Sequence, residues 1–329
     1  MNTLKYRRLA LAVWIATAAS FSLLPLAAQA QAWPAKSIRL VAPQLPGGAV
    51  DTLARIVAQK LSERLGQPVV VDNRPGANGV IGTGEVARLP ADGYTLLMAS
   101  DGSHAINPAL YKSLTYDSVK DFAPIAIVGR VPAVLVTGAK SPFNSVDDVV
   151  AASKKGTITY ASAGNGSTNH LMATMVQSRT GADFTHVPYK GAAPALLDVV
   201  GGRIEIMWAS ISAVAPFVKS GQVKALAVSS GKRSPALPNV PALGESKLFP
   251  GFDATPWYGL LAPAGTPLEI VNRLNSEVSA ILDLPDVRKQ LETSGAYVDK
   301  VTPEEFAKVV RDDLARWAKV VKESGAVVE

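Results

Sequence analysis

Three stretches of the chain could hold an anion without any charged side chain. They are Pro43-Gln44-Leu45-Pro46-Gly47-Gly48-Ala49-Val50-Asp51, then Ala161-Ser162-Ala163-Gly164-Asn165-Gly166-Ser167-Thr168-Asn169-His170, then Tyr189-Lys190-Gly191-Ala192-Ala193-Pro194. Each follows a short apolar run and precedes a pattern of helical period, so each reads as strand, glycine-rich loop, helix start. Glycine lets the chain turn sharply and lets a ligand come close to peptide N–H groups. The first amides of a helix lack intrahelical partners and carry partial positive charge, so a carboxylate gains several hydrogen bonds there. Gly and Ser also serve ordinary turns and caps, and Asp51 reads first as a cap of its own helix. Three such loops together favour an anion-binding cleft.

The same residues give enzymes little support. No G-x-S-x-G elbow occurs, and there is no Walker A sequence. Gly79, Gly82 and Gly84 follow G-x-x-G-x-G, the reverse of a dinucleotide fingerprint. Ser167 and His170 are three apart, which by itself makes no triad. The histidines are His104, His170 and His186, none at metal-ligand spacing from another, and cysteine is absent. The expectation is therefore no catalytic residue, no metal and no cofactor.

The elements that must position these loops alternate along the chain. Strands are expected at Ile38–Val41, Val69–Val71, Tyr94–Ala99 and Ile125–Val128, with helices at Val50–Leu65 and Ile81–Leu89 between them. A second series has strands at Ala133–Val136, Thr157–Ala161, Phe184–Val187, Ile204–Trp208 and Val223–Val228. Its helices are Val146–Ser153 behind the cap Ser145, Asn169–Arg179, Pro194–Val200 and Val214–Ser220. The spacing predicts parallel sheets with right-handed crossovers. A connector at 231–267 is too long to lack structure, so Trp257–Ala262 is expected to be a strand crossing back to the first lobe. Helices at Leu268–Leu282, Asp286–Thr293 and Pro303–Lys322 close the chain, the last behind a Thr302/Glu305 capping box. The fold class is α/β, two lobes with a cleft between them: first lobe 31–127 and 252–329, second lobe 128–251.

The 329 residues are 48% hydrophobic and 18% charged, which excludes a disordered chain. Residues 1–30 read as a signal peptide: Lys5, Arg7 and Arg8, an apolar run over Leu9–Leu24, then Ala28-Gln29-Ala30 with cleavage after Ala30. The flanks of Arg7-Arg8 fit the general secretory route better than a twin-arginine signal. The leader holds three of the 33 basic residues, so 30 basic face 27 acidic ones after it, without a basic run. The formal charge of +6 thus gives no case for nucleic acid.

Further motifs carry a family resemblance across nearly the whole chain. They are Pro46-Gly47-Gly48 with Asp51, Leu65-Gly66-Gln67-Pro68-Val69-Val70-Val71, Asn73-Arg74-Pro75-Gly76-Ala77 and Pro90-Ala91-Asp92-Gly93-Tyr94-Thr95-Leu96. Tyr116-Asp117 with Asp121-Phe122-Ala123-Pro124-Ile125, His186-Val187-Pro188-Tyr189-Lys190-Gly191, Trp257-Tyr258-Gly259-Leu260 and Ala262-Pro263-Ala264-Gly265-Thr266-Pro267 complete them. In their order they resemble the Bug-type periplasmic solute-binding receptors of tripartite tricarboxylate transporters.

The resemblance implies a type II, Venus-flytrap binding protein that closes on a small organic carboxylate and delivers it to membrane permease subunits. By position it implies a first-lobe jaw at Gln44, Gly47, Gly48 and Asp51. The second-lobe jaw would be Ser162, Asn165, Gly166, Ser167 and His170 with Tyr189, Gly191 and Ala193. Ser100 and Ser103 face the cleft or form an ordinary turn, and Trp208 packs on the ligand or in the core. Many relatives carry an acid near Ala209 that would pair with a ligand ammonium; its lack here implies a plain organic acid. A monomeric periplasmic protein is expected. A sensor presenting its ligand to a membrane kinase, or a periplasmic hydrolase using Ser167, are the alternatives.

Overall fold

The computed structural model describes residues 33–326, so the signal-peptide reading falls outside the described residues. All elements below belong to one unit beginning at Lys36. Two five-stranded sheets organise it. The first contains β1 (Ile38–Ala42), β2 (Val69–Asn73), β3 (Thr95–Ser100), β4 (Phe122–Arg130) and β10 (Trp257–Pro263), in the order β2-β1-β3-β10-β4. The second contains β5 (Ala133–Gly138), β6 (Ile158–Ser162), β7 (Phe184–Pro188), β8 (Ile206–Ser210) and β9 (Val223–Val228), in the order β7-β6-β8-β5-β9.

Neither sheet is purely parallel, which corrects the expectation from spacing. β10 runs antiparallel to β3 and β4, and β5 runs antiparallel to β8 and β9. The reason is the route of the chain. It leaves the first sheet at Arg130, crosses at Val131–Pro132, and must run away from the crossing as β5. It returns through Thr255–Pro256 and again runs away as β10. The expected strand at Trp257–Ala262 is thus present and pairs with both β3 and β4.

The helices α1 (Ala49–Leu65), α2 (Val80–Val86), α3 (Asn107–Leu110), α4 (Val146–Ser153), α5 (Thr168–Thr180), α6 (Ala192–Val200) and α7 (Ile211–Lys219) lie between strands. α8 (Leu268–Ile281), α9 (Pro285–Thr293) and α10 (Pro303–Ser324) follow β10. α1 shows why these segments fold as they do. Val50, Leu53, Ala54, Val57, Leu61 and Leu65 repeat at helical spacing and are buried. Gly66 at φ 67° ends it, its amide bonded to the Ser62 carbonyl. The Thr302/Glu305 and Ser145/Asp148 capping boxes both form.

α10 packs against both sheets. Its Phe306 and Val310 pack with Val41, Leu97 and Trp257 of the first sheet. Its Trp317, Val320 and Val321 pack with Leu135, Tyr160, Ile206 and Trp208 of the second. Twenty-two residues at 1.5 Å each give about 33 Å, enough to lie along both layers. Trp208, Trp257 and Trp317 are among the largest fully buried side chains, and the Trp257 indole N–H donates to Asp313 at 2.8 Å.

Candidate functional site

Between the ends of the two sheets lies a cleft of about 300 Å³, reached by loops from both and by the two crossings. From the first sheet come Gln44, Asn78, Gly102 and Asn107, and from β10 comes Tyr258. From the second come Ala163, Gly166, Ser167, Thr168 and Asn169, then Ala192, then Ala209 and Ser210. Val131, Pro132, Ala133 and Pro256 of the crossings form its back. Among the described residues, no lysine, arginine, aspartate or glutamate lines it.

On the first side the jaw loop is fastened from below. The Asp51 carboxylate accepts from the Gly47 amide at 3.0 Å, from Asn73 Nδ2 at 3.0 Å and from Arg55 Nε at 3.1 Å. Asn73 Nδ2 also donates to the Gln44 carbonyl at 3.1 Å. Burial alone would push the Asp51 carboxyl up; bonds from Arg55, Gly47 and Asn73 outweigh it and hold the group below the ordinary carboxylate range. Asp51 is therefore a loop fastener rather than the N-cap of its own helix, which is Gly48, and Gln44 is the residue the loop presents. Gly48 is the residue before α1, with no side-chain cap competing for the first amides.

Ser100 and Ser103 are buried and bond to one another at the end of β3, within the turn Gly102–Ile106. That turn instead brings Gly102 to the cleft, and Asn107 reaches it while donating to the Asn78 carbonyl at 3.0 Å. Asn78 stands at φ 53°.

On the second side three helices begin at the cleft. α5 starts after Ser167, whose hydroxyl accepts from the His170 amide and donates to the Gly164 carbonyl at 2.7 Å. That leaves Thr168 and Asn169 N–H without helical partners. α6 starts after Gly191, φ 111°, with Ala192 and Ala193 as its first amides and Pro194 third. α7 starts after Ser210, which makes no side-chain cap bond. Each is nine residues or longer, so each contributes a real dipole end.

The remaining expected residues lie around this wall rather than on it. Ser162 is fully buried; its hydroxyl meets His186 Nε2 at 2.6 Å and the Gly164 amide at 3.1 Å. Asn165 and His170 line a different cavity, of about 460 Å³, behind α5. It is larger than the cleft, but only the cleft joins both sheets to three helix starts. Tyr189 donates its hydroxyl to Asp198 at 2.6 Å, and this bond raises its pKa. Trp208 is 2% exposed in the core, its carbonyl bonded by Asn169 Nδ2. Ser210 and the α7 start were missed because no glycine marks them; the signal was Ala209-Ser210-Ile211, a strand meeting a helix with one serine between.

Two sheets, two crossings and a cleft of helix starts define a two-lobed α/β binding protein, the Venus-flytrap class. The chain matches the tripartite tricarboxylate transporter family receptor model over residues 53–326, and it belongs to that family. It is 39% identical to protein BugT of Bordetella pertussis over 90% of this chain and 92% of that one. Among solved structures it is similar to Rpa4515 of R. palustris with adipate: TM-score 0.81, 37% identity, 90% of this chain and 99% of that one. MatC from Rhodopseudomonas palustris with bound malate gives TM-score 0.76 and 34% identity over 88% of this chain and 100% of that one. The family is one of transporter receptors, and the periplasmic binding protein BugD is similar as well, with TM-score 0.77 and 34% identity over 90% of this chain and 100% of that one.

Proposed function

We propose that this protein captures a small organic carboxylate in the interlobe cleft and delivers it to the permease subunits of a tripartite tricarboxylate-type transporter. The observation that carries the reading is the convergence of the α5, α6 and α7 starts on a cleft lined by amides and hydroxyls but by no basic side chain. Helix dipole ends and free N–H groups stabilise a carboxylate there without the tight ion pair that would slow its release. Gln44, Asn78 and Asn107 face it across the cleft and suit a second polar end. Adipate and malate in the neighbours are both dicarboxylates, and a dicarboxylate is the class we assign to this cleft.

The contacts we assign are the amides of Thr168, Asn169, Ala192, Ala193 and Ile211, the Ser210 hydroxyl and the Gln44 side chain, with Ser167 holding the α5 start in place through its bonds to Gly164 and His170. Gly47, Gly48, Asp51 and Gly191 shape the loops that present them. In this reading the leader is cleaved after Ala30 and the mature receptor is periplasmic. Closure of the lobes about 131–132 and 255–256 makes the surface the permease reads. Thermal-shift and calorimetric screening of refolded, ligand-free protein tests it. At least one aliphatic dicarboxylate should raise the melting temperature and bind with one-to-one stoichiometry. Stabilisation by amino acids or nucleotides, and by no carboxylate, would overturn it.

A further inference from the structure

Behind the cleft wall two imidazoles lie face to face. His170 of α5 and His186 of β7 have ring centroids 4.0 Å apart and planes within 9°. Tyr160 of β6 extends the stack, 4.9 Å from His186. The rings line the 460 Å³ cavity, whose other titratable member is Glu323 of α10, itself beside Lys319 at 3.9 Å. His170 Nδ1 accepts a hydrogen bond from the Gly166 amide at 3.1 Å. A ring nitrogen that accepts carries no proton, so the His170 proton sits on Nε2.

Gly166 is the residue that this bond holds, and it is part of the cleft wall. It stands at φ 70° and packs so closely on Leu110 of α3 that a Cβ would lie 2.2 Å from a Leu110 methyl carbon. The bond therefore fixes the β6–α5 loop where it touches both the cleft and α3, which follows β3 of the first sheet. The Ser162–His186 bond does not fix a proton in the same way. Ser162 Oγ can accept from His186 Nε2 as readily as donate to it. His170 has no such freedom: a proton on Nδ1 would oppose N–H to N–H across that bond.

We propose that His170 is a positioning residue whose unprotonated Nδ1 holds the Gly166 amide and the β6–α5 loop in the ligand-binding geometry, so that protonation of His170 releases the loop and weakens carboxylate binding. The inference rests on the reading of the cleft as the carboxylate site. Burial keeps His170 neutral, lowering its pKa below the ordinary imidazole value, and burial with the His170 charge lowers His186 to about 4. Binding is thus full above the ordinary histidine range and is lost as pH falls through the His170 titration.

Two measurements on the whole protein decide it. Long-range ¹H–¹⁵N spectra of ligand-free protein at pH 8 should show His170 as the Nε2–H tautomer, with the Gly166 amide shifting in step with its protonation. An Nδ1–H tautomer, or a Gly166 amide indifferent to that protonation, would overturn the proposal without touching the receptor reading. The second uses adipate, titrated calorimetrically at pH 8 and pH 5. His170→Asn supplies an acceptor oxygen near the Nδ1 position but no titrating proton. Wild type should lose more affinity than H170N over this range, the gap widening toward about tenfold per pH unit once the pH is below the His170 titration. Parallel losses would sink the switch. The wild-type tautomer spectrum keeps the test open if H170N does not fold. Adipate failing to bind at pH 8 counts against the ligand class assigned above, and the tautomer spectrum then decides this proposal alone.

Discussion

Replacing Gly166 with alanine puts two separate costs on one atom. The residue stands at φ 70°, where an L side chain costs about 1–2 kcal/mol. The added Cβ would also meet Leu110 carbons at 2.2, 2.5 and 2.9 Å. Leu110 is 2% exposed, so it cannot swing into solvent, and overpacking of this kind costs about 1–3 kcal/mol. The sum is about 2–5 kcal/mol, or a melting temperature lower by roughly 5–15 °C for a chain of this size. Gly181 supplies the control. It stands at φ 66° with nothing within 4 Å of a Cβ, so Gly181→Ala carries the backbone cost alone. Urea unfolding of G166A, G181A, L110A and the G166A/L110A pair separates the terms. L110A alone opens a cavity and costs about 2–5 kcal/mol. In the pair the alanine methyl fills part of that cavity, so the two changes should couple by about 1–3 kcal/mol. Equal losses in G166A and G181A, with strict additivity in the pair, would refute the claim that Gly166 is pinned against Leu110.

Asp51→Ala should leave the Gly47 and Asn73 donors unpaired and cost about 1–3 kcal/mol by thermal unfolding at pH 7. Because the folded carboxyl is held below its ordinary range, its charge-linked contribution is present above about pH 4 and fades as pH falls through the depressed folded value, so the gap between the two proteins should narrow in acid. Asp101 behaves oppositely: burial, then the Asp313 charge, pushes its carboxyl up to about 7. Its ionisation costs stability as pH rises from about 4 to 7, so Asp101→Asn should raise the melting temperature at pH 8 and change it little at pH 4, readable by calorimetry. Trp317→Ala should cost about 3–5 kcal/mol, since the ring is fully buried where α10 meets the second sheet. A loss under 1 kcal/mol in urea unfolding would mean that this half of α10 is not anchored there.

Most elements were legible because their periodicity is strong. α1 and α10 announce themselves through apolar spacing and, in α10, a capping box. The antiparallel placement of β5 and β10 was not legible, because direction depends on where the chain crosses between sheets and not on any local pattern. The reach of α10 over both cores was hidden for the same reason: Phe306 and Trp317 look alike as apolar positions until each finds its partner sheet. Of the site, glycine-marked loops were readable, and Gln44, Gly166 and Ser167 do line the cleft. Asn78 and Asn107 reach it only through turns whose geometry no short motif encodes, whereas Ser210 reaches it at a strand–helix junction that no glycine marks. Trp208 shows the converse limit. A tryptophan at a strand end near the cleft can point to either face, and here it enters the core.

A crystal structure of the protein with a bound dicarboxylate tests the central claim most directly. One carboxylate group should lie within hydrogen-bond distance of amides at the starts of α5, α6 and α7, with the other end toward Gln44, Asn78 or Asn107. A ligand seated instead in the His170–His186 cavity, or held in the cleft by a basic side chain, would contradict it.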